Sequence, residues 1–109
     1  MRMWMIDPRH MCDRHLLGEH GEIHKHRHIF EKKYSIRGRV EPIVQIEPKA
    51  MKIRHDELVR EMEIRGIKHV SPYSLPDLRY LSRELVNVKV DRVRSYIEIK
   101  RKCDECRRR

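Results

Sequence analysis

Apolar positions recur with a helical period over three stretches of the chain and lose that period between them. Leu16, Ile23 and Phe30 stand seven residues apart, with Met11 and Leu17 alongside, which predicts a first helix over residues 8–33. Pro8 suits its first turn, where a missing N–H costs nothing, and Asp7 is placed to cap it. Gly18 and Gly21 weaken the pattern by roughly 1 kcal/mol each against alanine. Residues 34–51 read as an extended connection punctuated by Gly38, Pro42 and Pro48. Its β-branched residues Val40, Ile43, Val44 and Ile46 suit packing flat on the helices. A second helix is predicted over residues 52–65, closed by Gly66. Ser71, Pro72, Ser74 and Pro76 mark a loop, followed by a short helix over 77–84. A third longer helix is predicted over 88–102, with Val90, Val93 and Ile97 inward and Tyr96 a candidate to join them. The tail, CDECRRR, is expected to fray. These elements predict an all-α fold, a compact single-domain three-helix arrangement with an N-terminal arm (residues 1–7) and long loops. The helical domain is placed at 1–102 and a basic, cysteine-containing tail at 103–109.

Composition adds a partner class. The 109 residues suffice for one domain with a thin core, so a surface cleft is expected rather than a deep enclosed pocket. Lys and Arg number 26 against 17 Asp and Glu, a formal charge of +9. A surface this positive favours a polyanion, most commonly nucleic acid. The recurrence of apolar residues argues against disorder. No apolar stretch is long enough to span a bilayer and no signal-peptide pattern is present, so a cytoplasmic location without a membrane partner is expected, nucleoid-associated when on DNA. Three cysteines, an odd number, argue against a secreted disulfide framework. Cys103-x-x-Cys106 is half a zinc site at most, which Cys12 and the histidines could complete; the simpler reading is a reduced pair in the tail.

The most informative stretch runs from His15 to His28. At ~100° per residue, His15, Glu19, Glu22 and His26 share a stripe about 60° wide on the border of the apolar face. Three readings fit that stripe. It can be a solvated face with stabilising His and Glu pairs at i, i+4. It can be a metal site, although only His55 and His69 remain outside the first helix region to complete one. It can be a site of acid–base catalysis by a glutamate beside a basic surface.

The run Cys12-Asp-Arg-His15-Leu-Leu-Gly-Glu19-His-Gly-Glu22-Ile, preceded by a short arm from Met1, resembles the pyrimidine-dimer DNA glycosylases, among them the phage endonuclease V enzymes. Glu57-Leu-Val-Arg-Glu-Met-Glu-Ile-Arg65-Gly66 is similar to the second helix of that family. The resemblance implies an all-α, endonuclease V-like fold that needs no metal or cofactor. It implies action as a monomer on double-stranded DNA containing damaged pyrimidines, with glycosylase and abasic-site lyase steps. It further implies that an N-terminal α-amine attacks the sugar C1′ and forms a Schiff base, and that a glutamate assists. Carried onto this chain, the catalytic residues are Met1 and Glu22, and the DNA contacts include Arg2, Arg14, His15 and Lys25. Met1 stands fourteen positions before His15, the family's spacing from nucleophile to helix histidine. Arg2 is a large second residue, so the initiator methionine is expected to stay. An α-amine suits the task because its unperturbed pKa is ~7.7–8.0, against ~10.4 for lysine, and only the neutral amine attacks.

Gly21, Lys25 and Arg14 stand where the phage enzymes have Arg, Arg and Gln, and their aromatic-rich C-terminus is replaced here by cysteines and arginines. Further candidate phosphate contacts are Arg27, Lys32, Lys33, Arg37 and Arg39, with Lys89, Arg92 and Arg94 on the third helix. Trp4 reads as core packing of the arm, with a stacking wedge as the other option. Two rival functions remain open, a basic helical DNA- or RNA-binding protein without chemistry and a His-rich metal-binding protein.

Overall fold

Pro8 starts a helical turn, but a short one. In the computed structural model, which describes residues 2–68 and 71–109, Pro8–His10 is a single 3-10 turn capped by the Asp7 carboxylate. Met11 and Cys12 then run extended, and helix α1 spans Asp13–Glu31. The helix expected from residue 8 therefore begins at 13. The Arg65 guanidinium takes the carbonyls of Pro8 (3.0 Å) and Met11 (2.7 Å), groups that a continued helix would have used itself. At the other end, Lys33 adopts φ 57°, and the amides of Lys33 and Tyr34 bond back to Phe30 and Ile29. This closes α1 in the manner usually reserved for glycine.

Helix α2 spans Met51–Ile64, within a residue of the prediction. Gly66 ends it at φ 76°, with the Ile67 amide bonded to the Met62 carbonyl. Leu16, Ile23 and Phe30 of α1 and Met51, Leu58 and Met62 of α2 belong to one buried cluster. Each such side chain contributes roughly 1.5–3 kcal/mol on burial. The 34–51 connection packs on that cluster through Ile36, Val40 and Ile46, as its β-branched pattern suggests. It carries two 3-10 turns, Arg37–Arg39 and Pro48–Ala50, rather than staying extended throughout. The arm is tied to it by the Met3 amide, which donates to the Gln45 carbonyl at 2.7 Å, and Met3 is wholly buried.

The C-terminal half departs more from its pattern. The helix expected over 77–84 is displaced to α3, Arg83–Val86, capped by Ser82. Asp77 spends its carboxylate on the amide and guanidinium of Arg79, which closes a local turn instead. Helix α4 spans Arg92–Lys102 and begins only after Asp91, which caps it. Val90 is buried as expected, but Val93 and Ile97 are 71% and 56% exposed and Tyr96 also faces out. The inward face carries Ser95 and Ile99 instead. Two tertiary contacts set this phase: the Val90 amide donates to buried Glu47, and Arg2 lies on Ser95 and Glu98.

The tail does not fray. Asp104–Arg107 forms α5, and Cys103 and Cys106 are buried in the main cluster. The described residues hold no strand and form a flattened all-helical body of 40 × 32 × 16 Å around three main helices. No helix among them is long and apolar enough to cross a membrane.

Candidate active site

The four ionisable residues that share a stripe on α1 meet four different environments. Glu19 is sealed against α2, where the Arg54 guanidinium binds both its oxygens. Arg54 also donates to the Ile6 carbonyl (2.7 Å), so one buried cation joins arm, α1 and α2. Glu19 is thereby a structural partner. His26 is wholly buried, with Nδ1 donating to the Glu22 carbonyl at 2.8 Å and Nε2 accepting from Arg39 Nε at 3.1 Å. Burial, reinforced by the Arg39 charge, holds its pKa below the ordinary value. A neutral ring with a fixed tautomer follows, gripping the backbone of Glu22.

Glu22 is the member of the stripe left with acceptor capacity to spare. Its side chain is 23% exposed, and Oε2 is buried with no hydrogen-bond partner among the described residues. The other oxygen lies 3.9 Å from Lys25 Nζ, and Lys25 is otherwise exposed. A carboxylate oxygen withdrawn from water and without a partner among the described residues is uncommon in a folded protein. Met1, the other expected catalytic residue, lies outside the described residues.

The expected DNA contacts are dispersed. Arg2 is ion-paired to Glu98 (2.6 Å), bonded to Ser95, and stacked on Trp4 with its guanidinium 4.3 Å from the ring. Trp4 is half-buried against the core, as expected of a packing residue. Arg14 is exposed and reaches Cys103 Sγ at 3.8 Å. His15 turns Nδ1 toward two thiols, Cys12 (3.2 Å) and Cys106 (3.4 Å). Of the further basic residues, Arg27, Arg37, Arg92 and Arg94 are ion-paired, to Glu31, Glu41, Glu47 and Glu98 respectively. Exposed Lys32 and Lys33 carry no such pair among the described residues.

Spacing gave no sign of what the 71–76 loop brings to this helix. Arg27 donates to the Ser74 carbonyl and hydroxyl, which ties the loop to α1. Tyr73 is buried beneath it, stacked on His55 with ring centroids 5.4 Å apart. Burial pushes its phenol up to about 12, and the hydroxyl has no hydrogen-bond partner among the described residues. His20, His24 and His55 gather beside it, with ligand-capable atoms within 4.8 Å of one another. Only the fold could reveal that His55 of α2 meets two histidines of α1.

A groove of about 430 Å³ lies between the arm and α4, lined by Met5, Ile6, His10, Val93 and Tyr96 among others. Glu22 does not line it.

A family model described as pyrimidine dimer DNA glycosylase matches residues 1–75, which covers the arm, α1, α2 and the Tyr73 loop. No curated protein and no solved structure matches the chain.

Proposed function

The chain belongs to the pyrimidine dimer DNA glycosylase family, and from that premise we propose that it cleaves damaged pyrimidines from duplex DNA with the Met1 α-amine as nucleophile and Glu22 as acid–base partner. The observation that carries the reading is the buried Oε2 of Glu22, without a partner among the described residues, on a helix whose Glu19 and His26 are sealed in the interior. The amine attacks C1′ of the damaged nucleotide and the N-glycosidic bond breaks, its electron pair leaving with the base. The C1′–O4′ bond then breaks, O4′ taking up a proton to become the C4′ hydroxyl as the amine nitrogen loses one, to give an imine between Met1 and C1′. Loss of a C2′ proton then expels the 3′ phosphate and nicks the strand. Glu22 stabilises the positive charge that develops at C1′ and relays protons, as carboxylates do in other glycosidic cleavages. His26 acts as a positioning residue, because its Nδ1–H holds the Glu22 carbonyl.

The net charge of +9 supports a DNA partner, held through phosphate contacts. A dimer that stacks poorly costs less to extrude than an intact base, which favours damaged over normal sites.

Borohydride trapping on duplex DNA with an abasic site tests the nucleophile, with the adduct mapped by peptide mass. The adduct is expected on residue 1 and is expected to vanish in a chain carrying a short N-terminal extension. Trapping on a lysine, or unchanged nicking of ultraviolet-irradiated plasmid by the extended chain and by Glu22→Gln, sinks the mechanism.

A further inference from the structure

We propose that Cys12, His15, Cys103 and Cys106 bind a zinc ion that fastens the C-terminus of the chain to the start of α1. The four ligand-capable atoms all lie within 4.8 Å of one another, although the residues come from opposite ends of the sequence. The Cys12 and Cys103 sulfurs are 3.9 Å apart, and His15 Nδ1 is 3.2 Å and 3.4 Å from the sulfurs of Cys12 and Cys106. With metal–sulfur bonds of ~2.3 Å and metal–nitrogen bonds of ~2.0–2.1 Å, the edges of a tetrahedron are about 3.8 Å between sulfurs and about 3.6 Å between sulfur and nitrogen. These three separations differ from the tetrahedral edges by only a few tenths of an ångström. The Cys12–Cys103 distance is also almost twice a disulfide bond of ~2.05 Å, and all three cysteines are free.

The backbone around the four groups is built alike on both sides. Cys12 caps α1 and Cys103 caps α5, and each thiol accepts the amide of the residue three positions on, His15 and Cys106 respectively. Cys106 Sγ accepts the Cys12 amide at 3.2 Å. Cysteine is not a favoured helix cap, since serine, threonine, aspartate and asparagine serve better. Its use at both positions has a reason if the sulfurs serve a cation. Amides directed at sulfur stabilise thiolates, and the N-terminal end of the 19-residue α1 favours negative charge at its cap. Three thiolates and a neutral imidazole leave the zinc complex with one negative charge, which the Arg14 guanidinium, 3.8 Å from Cys103 Sγ, offsets.

Four protein ligands leave no open coordination position, so the site is structural rather than catalytic. The three cysteines are nearly sealed from solvent at 3%, 4% and 0% exposure, and Trp4 of the arm packs edge-on against His15. The ion would thus organise the junction of arm, α1 and α5.

The test uses the full-length chain purified under reducing conditions. Elemental analysis is expected to give about one zinc per chain, lost in Cys106→Ser and kept in His20→Ala. Cobalt added to the stripped wild-type chain is expected to give thiolate charge-transfer absorption and the intense visible bands of a tetrahedral site. This readout needs no variant to fold. Metal-free protein with three freely reactive thiols and no thiolate–cobalt absorption overturns the proposal. So does zinc that persists in Cys106→Ser but leaves in His20→Ala, which would place it among His20, His24 and His55.

Discussion

Arg54 and Glu19 meet across the α1–α2 interface through two hydrogen bonds, Nε to Oε2 at 2.5 Å and Nη2 to Oε1 at 2.9 Å, with both side chains sealed from solvent. Removing one partner leaves the other charged and unpaired in the interior, which costs about 3–5 kcal/mol. Arg54→Met is therefore expected to lower the urea midpoint sharply, and Glu19→Leu combined with Arg54→Met to recover much of the loss. A double variant no more stable than the Arg54→Met single would show that the pair itself is not the source.

Glu22 has the opposite character. Glu22→Gln is expected to reduce strand cleavage by about 10²–10⁴-fold, the range for losing a general acid or base. Folding stability should move by no more than about 1 kcal/mol, because Oε2 has no hydrogen bond to lose among the described residues. Thermal melts run beside plasmid-nicking assays separate the two effects. A large loss of stability would make Glu22 a packing residue instead.

The dispersed cations make different predictions for DNA affinity. Each lysine–phosphate contact contributes about 0.9 to the slope of log K against log salt. Lys25→Ala and Lys32→Ala should each flatten that slope by this amount, since among the described residues neither side chain is committed to a strong ion pair. Arg92 is held by both oxygens of buried Glu47, at 2.6 Å and 3.2 Å. Arg92→Ala should destabilise the fold and leave the slope unchanged. Fluorescence anisotropy over a salt series reads the difference, and equal flattening by all three would reject the division.

His26 sets a pH dependence. Burial depresses its pKa below the ordinary 6.5, so between the folded and unfolded values the unfolded chain binds more protons. The sign follows: its contribution to stability is fully present above pH ~6.5 and is lost as pH falls toward the folded value. Urea titrations between pH 7.5 and 5 (an approximate working range around ~6.5) should show stability falling, with a smaller slope in His26→Gln. Identical slopes in the two chains would assign the effect to other groups.

Much of this was legible in residue order alone. Leu16, Ile23 and Phe30 specify the buried edge of α1, and Gly66 specifies the end of α2, because helical period and a left-handed backbone each depend only on near neighbours. The run from Cys12 to Ile23 pointed to the family, and +9 pointed to a polyanion. The same local logic failed where a distant group intervened. Lys33 takes a glycine's place at the end of α1, and Arg65 claims two carbonyls that would have begun the helix five residues earlier. Val93 and Ile97 face outward because Arg2 and Glu47, more than forty residues away in sequence, fix how α4 sits. The stripe on α1 shows the limit most clearly. Helical period placed His15, Glu19, Glu22 and His26 on one face and left them equivalent, and only the family resemblance singled out Glu22 and His15. Packing against Arg54, Arg39 and the cysteines of the C-terminus gave the four their environments, an ion pair, a neutral imidazole, a thiol-facing histidine and a carboxylate with an oxygen unpaired among the described residues, because desolvation and pairing depend on what the rest of the chain brings alongside.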